Sequence, residues 1–96
     1  MKRKDNTSVV REFYHGLIED EERRTFRRLL RMSRKRREEV VETLIADQAM
    51  AFDDITKKAL LEMPPMTRKE IARALARRTR WAVLEALAAI LGRLFR

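Results

Sequence analysis

The side chains in this chain whose types and spacing could do chemistry are its arginines. Nine cations and no acid occupy residues 23 to 37: Arg23, Arg24, Arg27, Arg28, Arg31, Arg34, Lys35, Arg36 and Arg37. Like charges this dense repel, and a face that is merely solvated usually intersperses acids, so a counter-charge from outside the chain is the economical explanation. A second cluster, Arg68, Lys69, Arg73, Arg77, Arg78 and Arg80, sets six cations against one acid, Glu70. Lys69, Arg73, Arg77 and Arg80 recur at the three-to-four-residue spacing of one helical face. The chemistry open to them is anion capture, because the planar guanidinium fork grips phosphate oxygens in pairs as an ammonium cannot. Arginine outnumbers lysine 17 to 6. A genome with Arg-rich codon usage would also give that ratio, but not the net charge of +8, whose field concentrates polyanions around the protein. The expected partner is nucleic acid, DNA ahead of RNA.

Catalysis finds no such support. The chain has no cysteine and no glycine-rich phosphate loop, and its single histidine, His15, has no triad partner or metal-ligand companions in the sequence. Nucleophilic and metal-assisted chemistry therefore lack their parts, and no enzyme activity, cofactor, metal or small-molecule substrate is expected. His15 reads as a surface or packing residue. The acids Glu19, Asp20, Glu21 and Glu22 read as punctuation between helices, where carboxylates complement the positive end of the macrodipole. Tyr14 and Trp81 offer faces on which bases could stack, although aromatics beside apolar residues belong more often to a core. Met32, Met50, Met63 and Met66 read as gap fillers.

The elements that must position these cations are helices. The expected fold class is all-α: a compact bundle of four to five helices with a long C-terminal helix, expected as a dimer or higher assembly and preceded by a basic arm over residues 1–7. Residues 8–96 form a single domain, as the length allows for one core. The arm could follow a phosphate backbone or simply fray. Helix one is predicted from about Val9 to Ile18, capped by Thr7 or Ser8, with Val9, Val10, Phe13, Leu17 and Ile18 as its stripe. Helix two spans about Glu21 to Met32, capped by Asp20, with Phe26, Leu29 and Leu30 inward. Ser33 caps a third helix carrying Val40, Val41, Leu44, Ile45 and Phe52. Asp53 or Asp54 caps a fourth to about Met63, packed through Ile55, Ala59, Leu60 and Leu61, unless three and four form one bent rod. Pro64 and Pro65 end what precedes them. Thr67 and Glu70 then form a capping box, so a helix begins at Arg68.

Between Trp81 and Leu91 the only charge is Glu85. A helix apolar on every side must be buried, and in so short a chain a second copy is expected to cover it. The expected oligomer interface is Trp81, Val83, Leu84, Leu87, Ile90, Leu91, Leu94 and Phe95.

Leu60-Leu61-Glu62-Met63, the Pro64-Pro65 break and TRKEIARALARRTRWAVLEAL resemble the helix-turn-helix segment of small transcription regulators. Ile71, Ala72 and Leu75 stand where that motif has Ile, Ala and Leu. The resemblance implies that Arg77, Arg78, Thr79, Arg80 and Trp81 open a recognition helix approaching base edges. It departs at Ala76, where the motif usually has a turn glycine, and at Arg77, where it has an apolar residue. An unbroken helix of about 27 residues, on the order of 40 Å long, fits the same stretch.

The function expected is that of a small basic helical protein that grips phosphates and self-associates through its C-terminal helix, as a regulator or an architectural or nucleocapsid-type coat. The alternatives are a protein-interaction module whose C-terminal helix docks into another protein, and a membrane-surface protein anchored by that helix. Too thin a polar face on residues 81 to 91 argues against the membrane. No apolar stretch follows the basic opening MKRK or reaches membrane-spanning length, so an intracellular setting is expected, in cytoplasm, nucleoid or virion.

Overall fold

Hydrogen-bonding side chains at the helix ends cut the chain into short pieces. The computed structural model describes the backbone of residues 5–76 and 79–94 and the side chains of 5–76 and 87–94. Among these the chain is all-α: α1 Asn6–Gly16, α2 Asp20–Arg31, α3 Arg34–Ala46, α4 Asp54–Glu62, α5 Arg68–Leu75 and α6 Thr79–Leu94. The carboxylate of Asp5 accepts the Ser8 N–H at 2.7 Å, so α1 starts three residues before the predicted Val9, inside the stretch read as an arm. It stops at Gly16, and Ile18, assigned to its apolar stripe, is 85% exposed. Glu19 rather than Asp20 is the N-cap of α2, and Asp20, Glu21 and Glu22 fill its first turn, favourably placed on the macrodipole. The Ser33 hydroxyl caps α3 by accepting the Arg36 N–H at 3.3 Å.

Helices α3 and α4 are separate, not one rod. Beyond Ala46 the Gln48 N–H reaches Ile45 O and the Ala49 N–H reaches Leu44 O, with Gln48 at φ +55°. This is a Schellman closure with glutamine in the left-handed position that glycine or asparagine usually fills, so the sequence carried no sign of it. Asp53 caps α4 by accepting the Thr56 N–H at 2.6 Å. Ile55 does not pack as expected; it is 72% exposed, and Ala59 and Leu60 take the inward positions.

Helix α1 packs on α4 and α5, α2 on α3 and α5, and α3 on α4. Val10, Phe26, Leu29, Leu30, Val41 and Leu60 are essentially sealed from solvent. The Phe13 ring lies 5.3 Å from both Phe26 and Phe52, joining α1, α2 and the α3–α4 connection. The loop after Pro64-Pro65 is tied to the end of α2 by Met66 N–H donating to Leu30 O at 2.9 Å.

The stretch that could have been one long helix is broken. The capping box forms as predicted, Thr67 accepting from Glu70 N–H and Glu70 accepting from Thr67 N–H, and α5 begins at Arg68. It ends after Leu75, with Ala76 extended at φ −60°, ψ 135°. Its last carbonyls are taken by α1: Arg11 Nε donates to Ala74 O at 2.8 Å and His15 Nε2 donates to Leu75 O at 2.7 Å. A continuing helix would give those carbonyls to amides four residues on; basic side chains take them instead.

Over its described side chains the C-terminal helix is not covered by its own chain, since every residue from Leu87 to Leu94 is exposed. The molecule measures 58 × 28 × 28 Å with a radius of gyration of 16.7 Å, against about 12.5 Å for a compact domain of this length. A helix of 16 residues is about 24 Å long, close to the excess of the long axis. No helix among the described residues is long and apolar enough to cross a membrane.

Candidate nucleic-acid interface

Phe26, Leu29 and Leu30 are buried and fix the orientation of α2. At helical spacing this turns Arg24, Arg28 and Arg31 outward as a ridge, with Arg27 on its flank. Ile71 and Leu75 hold α5 to the core in the same way, leaving Arg68 and Ala72 beside α2. Between the two helices lies an open groove of about 330 Å³, lined by Arg24, Arg27, Arg28, Arg31, Arg68, Ile71 and Ala72. Five guanidinium groups from two helices share it, and no acid lines it.

Arg24, Arg28, Arg31 and Arg68 are exposed and make no hydrogen bond or ion pair among the described residues. Arg27 is different: its Nη1 donates to the Tyr14 hydroxyl at 2.7 Å. The Tyr14 ring is held by Phe26 and His15, at centroid distances of 6.0 and 5.4 Å. One arginine is thus pre-oriented while four can adapt. Arg28 and Arg31 also sit in the last turn of α2, where cations are favoured by the macrodipole.

The other cations named from sequence are placed elsewhere. Arg23 is spent inside the chain, on Asp20 at 3.5 Å and on Leu17 O at 3.0 Å, and Arg36 pairs with Glu39 at 3.5 Å. Arg34 donates to Glu62 O at 3.1 Å, at the end of α4. Lys35, Lys69 and Arg73 are exposed but do not line the groove. Arg77, Arg78 and the side chain of Arg80 lie outside the described residues, as do Phe95 and the side chains of Trp81, Val83 and Leu84. Leu87, Ile90, Leu91 and Leu94 are exposed.

Arg37 is a correction. It is wholly buried and cannot meet a ligand. Its Nε donates to Leu29 O at 2.7 Å, Nη1 to Leu60 O at 2.6 Å and to Met63 O, and Nη2 to Leu30, Met32 and Pro64 carbonyls at 3.0–3.3 Å. Those carbonyls end α2 and α4, so its counter-charge is two negative helix termini and no carboxylate. Burial pushes its pKa down from the usual range, and the charge of Arg34 adds to the push; an arginine stays charged even so. Cations at the start of α3 oppose its dipole. Arg34 and Arg37 instead reach the C-terminal ends of neighbouring helices. The signal for Arg37 was its register with Val41 and Leu44, which puts it on the apolar side of α3. Sequence reasoning also missed Tyr14 as the group holding Arg27, and Arg11 and His15 as the clamp on α5.

The chain turns after Leu75, between the two segments that resemble a helix-turn-helix, but the side chains that would open a recognition helix lie outside the described residues. Compared with known proteins, the chain matches no protein-family model, no curated protein and no solved structure.

Proposed function

We propose that this protein binds nucleic acid, duplex DNA first, by laying phosphates along the α2–α5 groove. The observation that carries this reading is the convergence of Arg24, Arg28, Arg31 and Arg68, all without a partner among the described residues, around the Arg27 that Tyr14 holds. Guanidinium groups so arranged take phosphate oxygens in bidentate pairs and release the counterions condensed on the duplex. Phosphate contacts position a protein without reading sequence, so the reading is of a general binder of the architectural or coat type.

The test is a salt titration of binding to random-sequence duplex. If all five arginines contact phosphate, log affinity falls against log salt with a slope of about −4.5. Replacing Arg24, Arg28 and Arg31 with alanine should make the slope shallower by about 2.7, whereas Lys35→Ala should leave it nearly unchanged. A flat salt response, or a triple variant that binds as the parent does, would sink the proposal.

A further inference from the structure

The second half of α6 presents one continuous apolar face. Taking 100° per residue, Leu87, Ile90, Leu91 and Leu94 fall within about 100° of the helix circumference. They are 48%, 51%, 49% and 71% exposed, which for side chains on a helix means that nothing covers them. Gly92 and Ala89 lie on the opposite side, and a Cβ added at Gly92 would meet nothing within 4 Å. Leu87, Ile90, Leu91 and Leu94 occupy a three-one-three spacing that reads the same in both chain directions. A two-fold interface requires such self-complementarity, with Leu87 meeting Leu94 and Ile90 meeting Leu91.

We infer that α6 pairs antiparallel with α6 of a second copy of this chain. Charge selects the antiparallel sense. Each copy carries a net +8, with its arginine groove on α2 and α5, and a parallel pair would bring two such bodies side by side. The antiparallel pair puts them at opposite ends of a rod about 24 Å long, which exceeds two Debye lengths of about 8–10 Å at physiological salt. Two such faces laid along the rod bury on the order of 1,000 Å² together, the lower bound for a specific interface. The inference does not rest on the reading of the groove; if both hold, the dimer carries two grooves facing separate stretches of duplex.

The decisive measurement is the mass of the full chain, free of nucleic acid and at high salt, so that failure of nucleic-acid binding cannot affect it. The expected value is twice the 11.5 kDa of the chain, falling to one chain in a Leu87→Glu, Leu91→Glu variant whose helical circular dichroism shows α1–α5 still folded. A monomeric parent overturns the inference, and so does a dimer that survives the double substitution. Orientation follows from cysteine pairing in a chain that has none of its own. A mixture of Leu87→Cys and Leu94→Cys chains should cross-link to each other, while Leu94→Cys alone should not. Self-linked Leu94→Cys means a parallel pair and refutes the geometry. A monomer that binds anionic vesicles through α6 would assign the face to lipid instead, and would equally overturn the pairing.

Discussion

Arg37 is a charge kept inside the protein with backbone carbonyls as its only counterweight. Removing it leaves carbonyls of α2 and α4 facing one another around a void, so Arg37→Ala should cost about 3–5 kcal/mol, a large share of the roughly 5–15 kcal/mol that holds a domain together. Arg37→Lys keeps the charge but brings three donors where six carbonyls accept, and should lose a smaller amount. Urea unfolding midpoints read both effects; an alanine variant within 1 kcal/mol of the parent would show that the six contacts contribute little. Gln48 tests the opposite sign. Its φ of +55° is strained for a residue with a Cβ, so Gln48→Gly should stabilise by about 0.5–1 kcal/mol, read in the same assay. Both residues show what a sequence hides. The register of Arg37 with Val41 was visible, but an arginine belongs inward only if two other helices end around it, and those ends are set by residues far along the chain.

At the scale of elements, beginnings were more legible than ends. The cap of α3 at Ser33, the cap of α4 at Asp53 and the capping box of α5 are decided by residues three apart, and each stood in the sequence as it stands in the fold. The end of α5 is decided by Arg11 and His15, some sixty residues away, which no local pattern records. Replacing both with alanine should cost about 1–3 kcal/mol by freeing two carbonyls, measured by thermal or urea unfolding; no loss would mean that Ala76 turns the chain for another reason. The caps also set an acid limit. Hydrogen bonds from Thr67 hold the Glu70 carboxyl below its ordinary 4.5, and those from Thr56 hold Asp53 below its ordinary 3.8. A carboxylate depressed in the folded state contributes stability above its ordinary value and loses it as pH falls through the folded one. Stability should therefore decline as pH drops below about 4.5. Glu70→Gln and Asp53→Asn keep an acceptor but remove the titration, so together they should flatten that decline. An unchanged acid limb in the double variant would place the pH dependence elsewhere.

At the scale of the whole molecule, composition located the polyanion-facing character of the chain but not its division of labour. Of the nine cations between residues 23 and 37, four line the groove, while Arg34 and Arg37 bind helix ends and Arg23 and Arg36 pair with carboxylates. A sequence states charge, whereas exposure depends on which face each helix buries. The same limit applied to α6, whose apolar run asked for a cover that residues 87–94 do not find within their own chain. A consequence can be measured. Among the described residues the core is built from α1–α5 and their connections, and Leu87 to Leu94 are exposed, so deleting the chain from residue 87 onward should open no cavity. The shortened chain should unfold within about 0.5 kcal/mol of the full one when both are compared as monomers. Its radius of gyration by small-angle scattering should lie near the roughly 12.5 Å of a compact domain, below the 16.7 Å of the full single chain. Affinity for duplex measured per groove should persist with the same salt slope, because the groove lies wholly in α2 and α5. A shortened chain that melts early would show that α6 belongs to the core after all, and one that stays folded but no longer responds to salt would move the phosphate contacts from the groove to the C-terminal helix.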